Sequence, residues 1–136
     1  RCDAVGVSRV YGHVEQMPSQ SEFVDRAVSS GIEVGLALDI HTPVMAIKET
    51  LSYLDAVLLM AVEVSRSGQE FDSRVLQKIE ELRLLEFEGD ICVDGGLDRQ
   101  EIEQCLEKGA NQFAVNSALW EAKDEVNKFE ELNLLR

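Results

Sequence analysis

Cysteine, histidine and positive charge are all scarce in this sequence, and each scarcity excludes something. The three cysteines, Cys2, Cys92 and Cys105, are an odd number at spacings that match no metal-ligand pattern, so neither a disulfide framework nor a zinc module is expected. Reduced thiols in a cytoplasmic protein fit better. Lysine and arginine total 13 against 26 aspartates and glutamates, a net charge of −13. So acidic a surface repels nucleic acid and anionic membrane, and it repels a phosphorylated ligand at long range. Any phosphate site must then be local, built from backbone N–H groups and at most one Arg or Lys. No apolar run reaches the roughly 18 residues of a membrane span, no signal-peptide pattern is present, and no low-complexity tract suggests disorder. The first residue is Arg1 rather than Met, which reads as a piece of a longer protein or a gene with an unusual start.

What is present is an ordinary globular composition, 45% hydrophobic and 29% charged, arranged in alternating patterns. Gly35–Leu38, Ala56–Val64, Asp90–Val93 and Gln112–Val115 are short, nearly continuous apolar segments. Strands of a parallel sheet, buried on both faces, require such segments. A weaker strand, Ser8–Glu15, alternates Val10, Gly12 and Val14 with Arg9, Tyr11 and His13. Between them lie helical patterns at Ser21–Ser30, Val44–Tyr53, Asp72–Leu85 and Arg99–Lys108, with a last amphipathic helix expected over Trp120–Leu135. Gly31 and Gly109 punctuate the first and fourth of these helices. Strand and helix alternate through five strands, which predicts one domain over residues 1–136, an α/β fold with parallel neighbours and right-handed crossovers. An open doubly wound sheet and part of a (β/α) barrel both satisfy this order. A complete barrel takes about 200 residues or more, beyond this chain's length.

The motifs favour the barrel. "GHVEQ" at Gly12–Gln16, "GIEVGLALDIHTPV" at Gly31–Val44, "LDAVLLMAVE" at Leu54–Glu63, "GQEFDSRVLQKIEELR" at Gly68–Arg83, "VDGGL" at Val93–Leu97 and "GANQFAVNSALW" at Gly109–Trp120 resemble, in order and spacing, the fourth to eighth strands and following turns of ribulose-phosphate 3-epimerases. The resemblance implies a partial TIM (β/α) barrel without the first three βα units. It also implies an isomerase of the pentose phosphate pathway, which interconverts ribulose 5-phosphate and xylulose 5-phosphate by metal-assisted proton exchange at C3. Two acidic residues work on opposite faces of the substrate, and a divalent metal (Zn, Fe or Mn) stabilises the enediolate. Of the family's two Asp and two His ligands, one Asp corresponds to Asp94; the others belong to strands outside this stretch. His13 and His41 correspond to none of them.

Asp94, at a strand C-terminus before two glycines, is therefore the candidate acid/base and metal ligand, or, read without the family, a turn or N-cap aspartate. Met60 corresponds to an apolar residue of the pocket floor. Gly68, Gln69, Gly95, Gly96, Asn116 and Ser117 fall on the three loops that hold the phosphate in this family. Two of these loops depart from the family pattern. Val64-Ser65-Arg66-Ser67 replaces a Pro and Gly-rich stretch, and Asn116-Ser117 replaces Gly-Ser. Added side chains there oppose backbone contact with phosphate, and Arg66 is either a compensating cation or a solvated loop charge. Three readings follow: an epimerase completed by more sequence, a non-catalytic half-barrel binding a partner or small phosphorylated ligand, and a barrel acting on another sugar phosphate. Five strands of a barrel also leave two edges and an inner face open. That predicts association with a second copy or with the missing N-terminal segment, with Leu36, Leu38, Leu59, Val93, Val115 or their immediate neighbours forming the inner face.

Overall fold

The computed structural model describes residues 6–63 and 69–135. Five strands, β1 (Arg9–His13), β2 (Glu33–Leu38), β3 (Ala56–Met60), β4 (Asp90–Asp94) and β5 (Gln112–Ala114), form one sheet in sequential order. Every neighbouring pair is parallel. With helices alternating between the strands, this is the partial (β/α) barrel expected from the motifs.

Local chemistry sets the helix limits. The helix α1 (Gln20–Ser29) starts at Ser19, whose hydroxyl accepts from the Glu22 amide at 3.2 Å. The next, α2 (Arg74–Leu84), buries Val75, Ile79 and Leu82. The third, α3 (Arg99–Lys108), begins with a reciprocal capping box between Asp98 and Glu101 and ends at Gly109.

Three expected elements differ. The strand expected over Ala56–Val64 ends at Met60, because the chain turns out of the sheet. The Ala61 amide bonds the Asp94 carbonyl at 2.8 Å, and the Ala61 carbonyl accepts from Asp72. Val64 lies outside the described residues. The helix expected over Val44–Tyr53 is two 3-10 turns, Val44–Ile47 and Leu51–Tyr53. Between them the Thr50 hydroxyl donates to the Ile47 carbonyl at 3.1 Å, a local bond that competes with helix continuation. The helix expected over Trp120–Leu135 is two, α4 (Ser117–Trp120) and α5 (Glu125–Asn133). Asp124 caps the second by accepting from the Asn127 amide at 3.0 Å.

Strand alternation assigns the two faces of the sheet. Leu36, Leu38, Leu59 and Val93 are fully buried with Val34, Val57 and Ile91 in one core with Val24, Ile79, Leu82 and Ile102 of the helices. Burial of each such side chain is worth about 1.5–3 kcal/mol. The inner face is thus made by their immediate neighbours: Arg9, Tyr11, His13, Gly35, Ala37, Ala56, Leu58, Met60, Asp90, Cys92, Asp94, Gln112 and Ala114. Helices claim most of the branched aliphatic side chains, and the inner face takes mainly small and polar ones, with Tyr11, Leu58 and Met60 as its large members. Gly35 shows the close fit: any side chain there would run into the ring of Tyr11, which lies across it.

The sheet curls strongly. At the N-terminal ends of the strands, the Arg9 guanidinium on β1 bonds Glu33 on β2 at 2.8 Å, Asp90 on β4 at 2.7 Å and Gln112 on β5 at 3.2 Å. In a flat sheet β1 and β4 would lie about 14 Å apart, too far for these side chains to meet. Asn111 and Gln112 also donate to Asp90, at 2.9 and 2.6 Å. Burial opposes the Arg9 charge, but bonds to Tyr11, Asp90 and Glu33 outweigh it and raise the guanidinium above its ordinary range. The same bond from Arg9 leads the interactions that hold the Asp90 carboxyl below the usual carboxylate range. This polar floor ties the two ends of the sheet together.

Candidate active-site rim

The opposite, C-terminal ends of the strands form the rim on which parallel barrels place their chemistry. Asp94 is the last residue of β4, half-buried on the inner face and paired in register with Met60 of β3 and Ala114 of β5. Burial raises its carboxyl above the ordinary value, and electrostatic interaction with His13 offsets part of that rise. Cys92, one layer deeper, is pushed up to about 11 by burial and by Asp94, so it is a protonated thiol at neutral pH.

Gly95 and Gly96 follow with φ of 117° and 63°, the left-handed region that only glycine enters without strain. They also sit against their neighbours. A β-carbon on Gly95 would lie 2.6 Å from Val62 Cγ2, and one on Gly96 would lie 2.7 Å from Phe71 Cα. The turn therefore packs directly on the segment leading into α2, which carries Gln69. That side chain donates to the Glu63 carbonyl at 2.7 Å. Gly96→Ala is expected to lower the unfolding free energy by about 2 kcal/mol or more, because it adds a left-handed alanine to a backbone collision. Chemical denaturation of the two proteins checks this.

Asn116 and Ser117 leave β5 just past Ala114, on the same rim. Asn116 is exposed and makes no side-chain cap on α4. The structure thus brings Met60, Gln69, Asp94, Gly95 and Gly96 to one end of the sheet, with Asn116 and Ser117 beside them. Gly68 and Arg66 lie outside the described residues.

The structure adds rim groups to which the sequence motifs assign no site role. His13 closes β1 on the inner face, with its Nδ1 3.7 Å from a Glu15 carboxylate oxygen. The other Glu15 oxygen accepts from the Asp39 amide at 2.9 Å. Burial works against the Glu15 charge, but bonds from Thr42 and Asp39 outweigh it and lower this carboxyl. Lys78 of α2 is buried and donates to the Asp39 carbonyl at 2.5 Å, and burial lowers its ammonium. Alternation of Arg9, Tyr11 and His13 and the Gly12–Gln16 motif both mark His13 in the sequence. The partners of Glu15 and Lys78 come from distant turns.

Among the described residues no group of three or more His, Cys, Asp or Glu is arranged to hold a metal ion. Asp94 is a single carboxylate donor, and a bound divalent ion takes several protein ligands. These residues alone do not build a metal centre. No helix of the described residues is long and apolar enough to cross a membrane.

Residues 3–120 match the model of the ribulose-phosphate 3-epimerase family. The ribulose-phosphate 3-epimerase of Bacillus subtilis (strain 168) is 33% identical over 125 residues, covering 88% of this chain and 58% of that protein. That of Schizosaccharomyces pombe is 35% identical over 118 residues, covering 87% of the chain and 52% of that protein. The chain thus spans between half and three-fifths of the length of these relatives. Among solved structures, a 3-hexulose-6-phosphate synthase superposes with a TM-score of 0.71 at 16% identity, covering 98% of this chain and 64% of that one. A thiamine phosphate pyrophosphorylase from Pyrococcus furiosus gives 0.66 at 21% identity, with 98% and 61% covered. At such identities these two speak for the fold alone. A five-stranded parallel sheet with Asp94 and its two glycines at the rim, and a family match running through all five strands, place this chain in the ribulose-phosphate 3-epimerase family.

Proposed function

We propose that this chain is the Asp94 side of a ribulose-phosphate 3-epimerase, which interconverts ribulose 5-phosphate and xylulose 5-phosphate once three further strands complete the barrel. The observation that carries the reading is Asp94 itself, a half-buried carboxyl on the inner face at a strand C-terminus, raised by desolvation. A carboxyl raised above its ordinary value is a stronger base than an ordinary aspartate, and more of it holds the proton that a general acid must deliver. In this role Asp94 moves a proton to or from C3 on one face of the sugar. A second carboxylate, outside this chain, serves the other face. The divalent ion implied by the family would supply charge stabilisation of the enediolate, with Asp94 as one of its ligands. Met60, beside Asp94 in register, forms part of the apolar floor under the substrate.

For the phosphate, the Gly95–Gly96 turn and its contact with the Gln69 segment offer closely packed backbone, and Ser117 adds a hydroxyl. The exposed Asn116, where the family has glycine, supports a weaker grip than in the relatives. The free thiols of Cys92 and Cys105 suit a cytoplasmic setting. A second reading, a half-barrel that has lost catalysis and binds a partner or small phosphorylated ligand, draws on the lack, among the described residues, of a His, Cys, Asp and Glu cluster able to hold a metal ion.

A fusion placing the first three βα units of the Bacillus subtilis relative ahead of this chain tests the first reading. Xylulose 5-phosphate should form from ribulose 5-phosphate, and Asp94→Asn should reduce the rate by about 10²-fold or more. A folded fusion without epimerisation, or one indifferent to Asp94→Asn, would refute it.

A further inference from the structure

We infer that His13 is a specificity residue of this site, whose Nε2 accepts a hydrogen bond from the C1 hydroxyl of the ketose phosphate. This rests on the epimerase reading above and deepens it, because it names the group that recognises the end of the sugar away from the phosphate.

The placement comes from the curl of the sheet. Arg9 and Asp90 meet at 2.7 Å across the inner face. Their strands, β1 and β4, belong to one all-parallel sheet, and every second residue of a strand points to the same face. Counting along both strands from that first rung, Tyr11 falls opposite Cys92 and His13 falls opposite Asp94. The electrostatics agree. After burial, His13 is the neighbour that acts on the Asp94 carboxyl. His13 and Asp94 thus stand on facing walls at the mouth of the curled sheet, and a ligand seated on Asp94 lies between them.

The ring is held for such a contact. The His13 side chain is 35% exposed, and its Nδ1 lies 3.7 Å from Glu15 Oε2. Glu15 is fixed in turn, because its Oε1 accepts from the Asp39 amide at 2.9 Å. The buried Lys78 pins the Asp39 carbonyl from the side of α2. Although burial opposes the Glu15 charge, bonds from Thr42 and Asp39 keep this carboxyl low. An anion beside Nδ1 draws the proton of a neutral imidazole to that nitrogen, which leaves Nε2 as an acceptor. Among the described residues Nε2 makes no hydrogen bond.

The sugar decides the partner. With C3 at Asp94 and the phosphate toward the Gly95–Gly96 turn and Ser117, C2 and C1 are the carbons left for the β1 side. An open-chain ketose carries a carbonyl at C2, which only accepts, and a hydroxyl at C1, which can donate. An acceptor nitrogen therefore selects the hydroxyl.

The test titrates the fusion described above, by calorimetry, with two probes. One is xylulose 5-phosphate. The other is 1-deoxyxylulose 5-phosphate, which has a methyl group in place of the C1 hydroxymethyl. Loss of the hydroxyl should weaken binding by about fivefold to tenfold. In His13→Phe the two probes should bind alike, within about twofold. His13→Gln, whose side-chain oxygen can reach the place of Nε2, should restore part of the preference. A merely structural histidine would weaken both probes together and leave their ratio unchanged. A ratio in His13→Phe equal to that of the parent overturns the inference, as does equal binding of the two probes by the parent. Epimerisation by the parent in either case leaves the epimerase reading standing. If circular dichroism shows His13→Phe unfolded, His13→Ala takes its place with the same outcomes. A folded fusion that binds neither probe overturns the epimerase reading and this inference together.

Discussion

Arg9→Met is expected to lower the unfolding free energy by about 2–3 kcal/mol, more than any surface ion pair would. The Arg9 side chain is 20% exposed and its partner Asp90 29%, so both charges have left most of their water. The substitution preserves the aliphatic stem and removes only the guanidinium. It leaves Asp90 with Asn111 and Gln112 as donors, both neutral, and removes the bridge from β1 to β4 and β5. The bond to Glu33, which is 52% exposed, adds little. Urea denaturation of both proteins measures the difference.

Acid gives this prediction a second handle. The Asp90 carboxyl is held low in the folded protein by Arg9. Its stabilising contribution is therefore present above the unfolded value, about 3.9, and disappears as pH falls through the folded value below that. The gap between wild type and Arg9→Met should be full at neutral pH and shrink steadily as pH drops below about 4. A gap independent of pH would mean that the arginine acts by packing alone.

The chain by itself is expected to epimerise ribulose 5-phosphate negligibly. Inversion at C3 needs proton removal on one face and delivery on the other, and the described inner face offers Asp94 as its one carboxyl at the family's catalytic position. Losing one positioned acid or base typically costs 10² to 10⁴ in rate, and a lost metal ion several kcal/mol of charge stabilisation in addition. From ordinary turnover of about 1 to 10³ per second, little remains. A coupled assay for xylulose 5-phosphate on the purified 136-residue chain decides it. Turnover in the ordinary range would show that the catalytic set is complete without added strands.

How far the sequence alone reaches can be judged from particular residues. The helix Arg99–Lys108 was legible to the residue, because an Asp98–Glu101 capping box and Gly109 bracket it with local chemistry. The strand ends at Asp94 and Ala114 were legible to within a residue for the same kind of reason. Trp120–Leu135 reads as one helix in the sequence because its apolar stripe continues across the break, while the Asp124 cap that interrupts it is a weak signal within an acidic run. The inner face was left open between two sets of alternating residues. Leu36 and Ala37 are both apolar, and only the side on which the helices pack decides which of them faces the lumen.

The sequence by itself determined the strand–helix order, the parallel sheet, the family and the place of Asp94 before its two glycines. Each depends on contacts a few residues apart or on motifs read in order. Tertiary structure alone decided the curl of the sheet and the composition of its floor. Arg9 and Asp90 are 81 positions apart, and no periodicity connects them. Tertiary structure also decided the protonation tendency of Asp94, because desolvation is set by what surrounds a carboxyl in space and not by its neighbours along the chain.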